Sequence, residues 1–135
     1  MACYKFKLIK YNEGLLDNII DSTYILHLEG NGRLKHIYSQ LTLYNPSKYT
    51  YILFNKGYKK CKKSKHINSA ALDLIDGFLT IFKHANKNNY NNILILEDDF
   101  TFLPDIKNKE IINSIHTFFT KHNNEEYIYH LGCLP

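Results

Sequence analysis

The chain has 135 residues, of which 44% are hydrophobic, and it carries a formal net charge of +4 at pH 7. This length and apolar content suit one compact domain with its own core, and they exclude a chain that is disordered throughout. The positive charge is concentrated in residues 55–66, which indicates an anionic partner rather than a nucleic-acid binder along the whole chain.

The sequence contains no evident targeting or membrane segment. Its first 14 residues lack the apolar stretch of a secretory signal. No apolar run approaches the roughly 20 residues that are needed to span a bilayer. We therefore expect a soluble cytoplasmic protein that is not secreted by a signal of its own.

The cysteines Cys3, Cys61 and Cys133 are odd in number and far apart in the sequence. Their spacing fits no zinc-binding motif, and no set of disulfides pairs all of them. Free thiols in a reducing compartment are the expected state.

Strands and helices are predicted to alternate along the chain. In chain order we predict a surface strand at 4–9, a short amphipathic helix at 15–20, a strand at 24–28, a helix at 34–41, a strand at 49–55, a long helix from Ser69, a strand at 93–96, a helix from Asn108 and a last core strand at 126–132. This order predicts an α/β fold with a mostly parallel central sheet flanked by helices. Residues 1–23 would form an N-terminal strand and helix extension, and residues 24–135 the main domain.

Two further predictions concern packing. The continuous apolar run from Ile93 to Leu96 indicates a central strand that is covered on both faces. The long helix is expected to face the core with a stripe of apolar residues, namely Ala71, Leu74, Ile75, Phe78, Phe82 and Ala85.

Three acids, Glu97, Asp98 and Asp99, follow that apolar strand without a break. Ligands of open α/β sheets bind beyond the carboxyl ends of the strands, and side-chain alternation places Glu97 and Asp99 on one face. Mg²⁺ and Mn²⁺ prefer oxygen ligands and often take only one or two carboxylates, with substrate phosphates completing the shell. The pattern predicts a metal site. The alternative is that these carboxylates cap neighbouring helices or lie in water.

Basic residues follow the other predicted core strands. The lysines of the loop after the strand at 49–55 either face a diphosphate or form an ordinary solvated surface, and they are Lys59, Lys60, Lys62, Lys63 and Lys65. Arg33 begins the helix after the strand at 24–28, and its planar fork suits phosphate or carboxylate. The alternative is a surface arginine at a helix end.

Three stretches stand out, at residues 24–41, 88–106 and 127–135. Together they resemble the family 25 glycosyltransferases and the glycosyltransferase-like proteins of large DNA viruses. "YILHLEGNGRLKHIYSQL" (24–41) is similar to the family's opening strand, with an arginine beginning the next helix. "NNYNNILILEDDFTFLPDI" (88–106) resembles its Leu-Glu-Asp-Asp motif, which is a version of the DxD element. "YIYHLGCLP" (127–135) is similar to the next core strand.

The resemblance implies a Rossmann-like GT-A nucleotide-binding half and an enzyme that transfers sugar from a UDP-sugar to a protein or glycan hydroxyl. It implies that Mn²⁺ or Mg²⁺ is held by Glu97 and Asp99, and that Asp98 contacts the ribose or the sugar. It places other residues along the nucleotide, with the last of them near the base: Leu28, Glu29, Arg33 and Asn55. A viral relative would work in the host cytoplasm or the virion.

Members of this family continue into an acceptor-binding half, whereas this sequence ends at Pro135. We therefore expect a truncated relative, or one that an oligomer or partner completes, and the sequence assigns no catalytic base. Two other interpretations stay open. One is a non-catalytic remnant that binds a nucleotide or a protein partner. The other is a metal-dependent phosphoryl-transfer or nuclease domain, because acids at strand ends and a lysine loop also suit phosphodiesters.

Overall fold

Four strands and three α-helices form the regular structure of residues 2–132, the part of the chain that the computed structural model describes. In chain order they are β1 (Tyr4–Lys10), β2 (Ser22–Leu28), α1 (Leu34–Leu43), β3 (Tyr49–Asn55), α2 (Ala70–Lys87), β4 (Ile93–Glu97) and α3 (Lys109–Lys121), with a short 3₁₀ turn at Pro104–Lys107 before α3. Ser69 caps α2 by accepting a hydrogen bond from the Leu72 amide at 3.2 Å, and Asn108 caps α3 by accepting one from the Glu110 amide at 2.9 Å. No described helix is both long enough and apolar enough to cross a bilayer.

The four strands form one sheet in the order β1-β3-β2-β4. β2 pairs in parallel with both β3 and β4, whereas β1 runs antiparallel to β3 with Tyr4 opposite Asn55. The α/β class with flanking helices is therefore confirmed and is compatible with a Rossmann-like fold, but the sheet is mixed rather than mostly parallel. β1 is an edge strand whose lysines point outward, and such charges protect an edge from further pairing.

The core has a layer on each face of the sheet, because successive side chains of a strand point to opposite sides. On one face, Tyr24 and Leu26 of β2 pack with Ile81 and Ala85 of α2. On the other face, Ile25 of β2 packs with residues of α1 and β3, namely Ile37, Leu41 and Ile52. β2 is thus the central strand, buried from Ser22 to His27.

The prediction of a central position for β4 is wrong. β4 lies at the edge of the sheet, and its residues from Ile93 to Leu96 are only partly buried. Ile95 packs toward the α2 layer, while Leu94 packs against a third cluster under α3. A continuous apolar run therefore reports that both faces of a strand are covered, and it does not report whether another strand lies beside it.

The predicted strand at 126–132 is also absent from the described residues, since this segment has no strand pairing. Instead, the Tyr127 ring lies 5.4 Å from the Phe118 ring of α3 and the Tyr129 ring lies 4.9 Å from it, and Ile128 is 84% exposed. The two tyrosine rings pack against α3 rather than beside β4. Residues 133–135 of the predicted stretch lie outside the described residues.

Two helix predictions also need correction. Residues 15–20 form turns rather than a helix, although Leu16 and Ile20 are buried as an amphipathic segment requires. The buried stripe of α2 consists of Asp73, Gly77, Ile81 and Ala85, whereas the predicted core residues Ile75 and Phe82 are about half exposed. Gly77 fixes this orientation, because a Cβ there would lie 2.7 Å from Leu26 Cδ2.

Candidate functional site

A cleft of ≈ 540 Å³ lies at the carboxyl ends of the parallel strands. It brings together residues from the ends of β2, β3 and β4 and from the start of α1 that the sequence places at a ligand site, namely Leu28, Glu29, Arg33, Asn55, Glu97 and Asp98. Asp99 is exposed on the turn after β4 and is not part of the cleft wall. Parallel strands end at the same edge of a sheet, so separate stretches of sequence converge here.

Asp98 is the most heavily bonded residue of the acidic tip, which we define as Glu97–Asp99. Its Oδ2 accepts hydrogen bonds from the Leu28 amide at 3.1 Å, Asn31 Nδ2 at 2.6 Å and His27 Nδ1 at 2.9 Å. Its Oδ1 accepts one from Arg33 Nη1 at 2.9 Å. Asp98 thereby ties the end of β4 to β2 and to the turn before α1.

The environment of Asp98 favours its charged form. Burial raises the pKa of this carboxyl, but the hydrogen bonds from Asn31, Arg33, His27 and the Leu28 amide outweigh burial, so the pKa lies below its ordinary value. The side chain is 8% exposed. Its Oδ1 carries a single hydrogen bond and retains acceptor capacity.

The turn between β2 and α1 places Arg33 beside this carboxylate. Gly30 and Gly32 have φ angles of 82° and 81°, a left-handed conformation that glycine adopts without steric cost. Between them, Asn31 donates to Asp98 and accepts a hydrogen bond from the Arg33 amide at 3.0 Å. The sequence "EGNGR" is thus a turn that is built around Asp98, and half of the Arg33 side chain (51%) remains exposed.

Glu97 and Asp99 are the acids that remain available at the acidic tip, since both are exposed. Two carboxylates are a number that Mg²⁺ accepts when water and phosphates complete its shell. Within residues 2–132, however, no three side chains of the histidine, cysteine, aspartate or glutamate type form a group that fits a metal ion. The structure thus leaves Glu97 and Asp99 without a third protein ligand of these types, and the metal site stays a prediction.

The lysine loop, which we define as residues 56–65, divides its lysines between three environments. Lys56, Lys59 and Lys60 line the cleft. Lys62 and Lys65 are exposed away from it. The Lys63 side chain is only 5% exposed, and its Nζ donates to Tyr4 Oη and Asn55 Oδ1, each at 2.8 Å.

Buried Lys63 is also ion-paired with Asp73 of α2, and its ammonium lies 4.0 Å from the centre of the Tyr4 ring. Asn55 completes the cluster. Its Nδ2 donates to Asp73 Oδ2 at 2.8 Å, and its Oδ1 accepts from the Gly57 amide at 2.9 Å. The residue that is expected near a base therefore also anchors the lysine loop.

Cys3 and Cys61 form a disulfide with a Cα–Cα distance of 5.7 Å, so the prediction of free thiols is wrong for this pair. The cause is the antiparallel pairing of β1 with β3. It sets Tyr4 opposite Asn55 and lets the Lys56 amide donate to the Cys3 carbonyl at 3.1 Å. Cys3 thus lies against the lysine loop, although 58 positions separate the two cysteines. Cys133 lies outside the described residues.

Sequence reasoning misses Asn31, His27 and Asp73 as members of this site. It places Lys63 among lysines that face a diphosphate or solvent, and both alternatives are wrong for Lys63, because its side chain is buried in an ion pair with Asp73. Asn31 carries the one usable signal, because an asparagine between two glycines after a strand predicts a turn. His27 has the pattern of a satisfied core residue, and it is 4% exposed with Asp98 as its partner. The sequence places Asp73 only in the first turn of its helix.

Comparison of the chain with protein-family models, with curated proteins and with solved structures found no significant match.

Proposed function

We propose that this chain is the donor-binding part of a glycosyltransferase similar to family 25, and that its cleft holds a nucleotide sugar, with a UDP-sugar as the first choice. One observation carries the proposal: residues from three separate strand ends, together with Arg33, line a single cleft at the carboxyl edge of the sheet. Its volume of ≈ 540 Å³ is in the range that small-molecule sites occupy.

The chemistry of the cleft wall suits such a ligand. Lys59 and Lys60 approach from the lysine loop and offer positive charge to a diphosphate, while the exposed part of Arg33 offers further donors. Tyr58 and Leu74 add an aromatic ring and an apolar side chain to the same wall, which suits a base or a sugar face.

A divalent cation, Mn²⁺ or Mg²⁺, belongs to this proposal at Glu97 and Asp99. Such an ion would supply charge stabilisation on the departing diphosphate. The acceptor would be a hydroxyl of a protein or glycan.

A thermal-shift panel of UDP-, GDP- and CMP-sugars tests the proposal, each measured with Mn²⁺ and with EDTA. A ligand that binds only the folded state at about 100 times its Kd stabilises it by about 2.7 kcal/mol. At least one nucleotide sugar should therefore raise Tm by several degrees. The absence of any shift at millimolar concentrations in either buffer would contradict the proposal.

A second candidate is a module that binds the nucleotide without turnover. The hydrogen bonding of Asp98 favours it, because a carboxylate that four donors hold is committed to structure rather than to reaction. Incubation of the purified chain with its best donor and Mn²⁺ separates the two candidates. Release of free nucleoside diphosphate above the buffer rate would rule out the binding-only module.

A further inference from the structure

The charged residues of the cleft divide into paired and unpaired groups. Asp73 is neutralised by Lys63, and Asp98 by Arg33. In contrast, Lys56, Lys59 and Lys60 make no ion pair with any residue between 2 and 132. The unpaired positive charge of the cleft therefore comes from the lysine loop.

The lysine loop is fixed in place at several points. Its amides at Lys60 and Cys61 donate to the Gly57 carbonyl at 3.1 and 2.9 Å, which closes a tight turn. Cys61 is bonded to Cys3, and two residues later Lys63 is buried in its cluster with Asp73. The backbone that carries Lys59 and Lys60 is thus held before any ligand arrives.

Lys60 reaches across the cleft to the turn between β2 and α1. A Cβ built on Gly30 would lie 3.8 Å from Lys60 Nζ, so the ammonium lies directly over the glycine backbone. The cleft therefore presents positive charge between the lysine loop and the turn that carries Arg33, where an anionic ligand would pass.

Fewer carboxylates of the acidic tip are available in the cleft than the sequence predicts. Asp98 is committed to four hydrogen-bond donors and Asp99 is not part of the wall. The carboxylates of the wall that make no ion pair with any residue between 2 and 132 are therefore Glu29 and Glu97. Among the described residues, the three unpaired lysines of the wall outnumber its two unpaired carboxylates, so a ligand phosphate meets a net positive charge there.

We propose that the cleft binds the phosphates of a nucleoside diphosphate through Lys59 and Lys60, and that this binding does not require a divalent cation. The ligand class rests on the proposed function, while the independence from metal goes beyond it. Lysine binds phosphate as a compact point charge, and two such charges on a fixed loop supply the neutralisation that a bound cation would otherwise provide.

The test is calorimetric titration of the full chain with UDP and with GDP, each in EDTA and in Mn²⁺. At least one of these nucleotides should bind in EDTA with a Kd within about threefold of its value in Mn²⁺. This ratio corresponds to a difference in binding free energy of less than about 1 kcal/mol. The double variant K59Q/K60Q should weaken that binding at least about tenfold, which corresponds to about 1.4 kcal/mol.

K62Q/K65Q is the matched control, because it removes the same charge from the same loop at exposed positions outside the cleft. It should change the Kd by less than about threefold, since exposed charges away from a ligand are screened by salt. All four substituted side chains are exposed, so both variants should keep the wild-type fold.

The outcomes separate this inference from the proposed function. Binding in EDTA that K59Q/K60Q weakens and K62Q/K65Q does not would support both. Binding only in Mn²⁺, or equal weakening by the two double variants, would overturn the inference and leave a metal-dependent donor site. No binding of UDP or GDP in either buffer would overturn the inference and count against the proposed function as well.

Discussion

The acidic tip at the end of β4 and the lysine loop after β3 are both runs of like charge that follow apolar strand residues, yet they are stabilised differently. In the tip, Asp98 turns inward and collects donors from β2 and the turn after that strand. In the loop, Lys63 turns inward and collects acceptors from β1, β3 and α2. Only the loop also has a covalent tie, the bond between Cys3 and Cys61.

This comparison shows how a run of like charges is tolerated at a sheet edge. One charged side chain of the run is buried and paired with groups of opposite polarity, which offset its repulsion from its neighbours. The other side chains of the run point to solvent or to the cleft. The buried member stabilises the fold, while the exposed members keep charged groups in contact with solvent or the cleft. The function of such a run therefore has to be assigned residue by residue.

The largest effect should come from the buried cation of the lysine loop. Lys63→Met would leave Asp73 buried and without its charge partner, which typically destabilises a protein by about 3–5 kcal/mol. Lys62→Met, at the neighbouring exposed position, should change stability by less than about 0.5 kcal/mol. Urea denaturation measures both free energies of unfolding. Equal midpoints for the two variants would show that Lys63 is not buried as described.

The covalent tie should matter next. Replacing both bonded cysteines, with Cys3→Ser and Cys61→Ser, opens a loop of 58 residues in the unfolded chain and should cost about 4 kcal/mol. The same double variant should also bind UDP more weakly, because the backbone under Lys59 and Lys60 loses one anchor.

Treatment of the wild-type chain with a dithiol reductant should reproduce both changes. The acidic tip has no such tie, so the destabilisation caused by a substitution at Asp98 should be the same with and without reductant. A wild-type unfolding midpoint that the reductant does not move would contradict the role assigned to the disulfide.

Asp98→Asn should have a smaller but clear effect. The amide keeps the shape of the side chain, but its NH₂ group would face hydrogen-bond donors in either orientation. These donors are Arg33 at the Oδ1 position, or His27 and Asn31 at the Oδ2 position. Hydrogen bonds to charged groups contribute about 1.5–3 kcal/mol each, so a loss of about 2 kcal/mol is expected. Asp99→Asn is the matched control on the exposed side of the tip, and it should leave the urea midpoint nearly unchanged.

The smallest expected effect is a pH dependence of the stability difference between the wild type and Asp98→Asn. The folded-state pKa of Asp98 is lowered from its ordinary value of 3.8, since its hydrogen bonds outweigh the opposing effect of burial. A depressed carboxyl pKa contributes stability that is fully present above the unfolded pKa and is lost as the pH falls through the folded one. The stability gap between wild type and Asp98→Asn should therefore narrow below about pH 4. A gap that stays constant down to about pH 3 would exclude this linkage.

Local sequence patterns predicted the features that neighbouring residues determine. Alternating strands and helices imply parallel strands, and parallel strands end at one edge, so Glu97 and Asn55 were correctly expected at that edge. The features that were missed depend on contacts between distant residues. Nothing near Asp98 in the sequence shows which donors will surround it, and nothing near Cys61 shows that β1 will bring Cys3 beside it. The edge position of β4 was missed for the same reason, since its apolar run reports cover on the two faces alone.

The central claim is that a nucleotide sugar occupies the cleft at the carboxyl edge, and NMR mapping tests it most directly. Titration of the ¹⁵N-labelled chain with UDP-glucose should perturb the amides around the cleft, including those of Glu29, Asn55, Lys60 and Glu97. A separate groove of ≈ 430 Å³ beside α3, lined in part by Glu110, Ser114 and His130, provides the internal comparison. Perturbations that centre on that groove, or no perturbation at saturating ligand, would contradict the account.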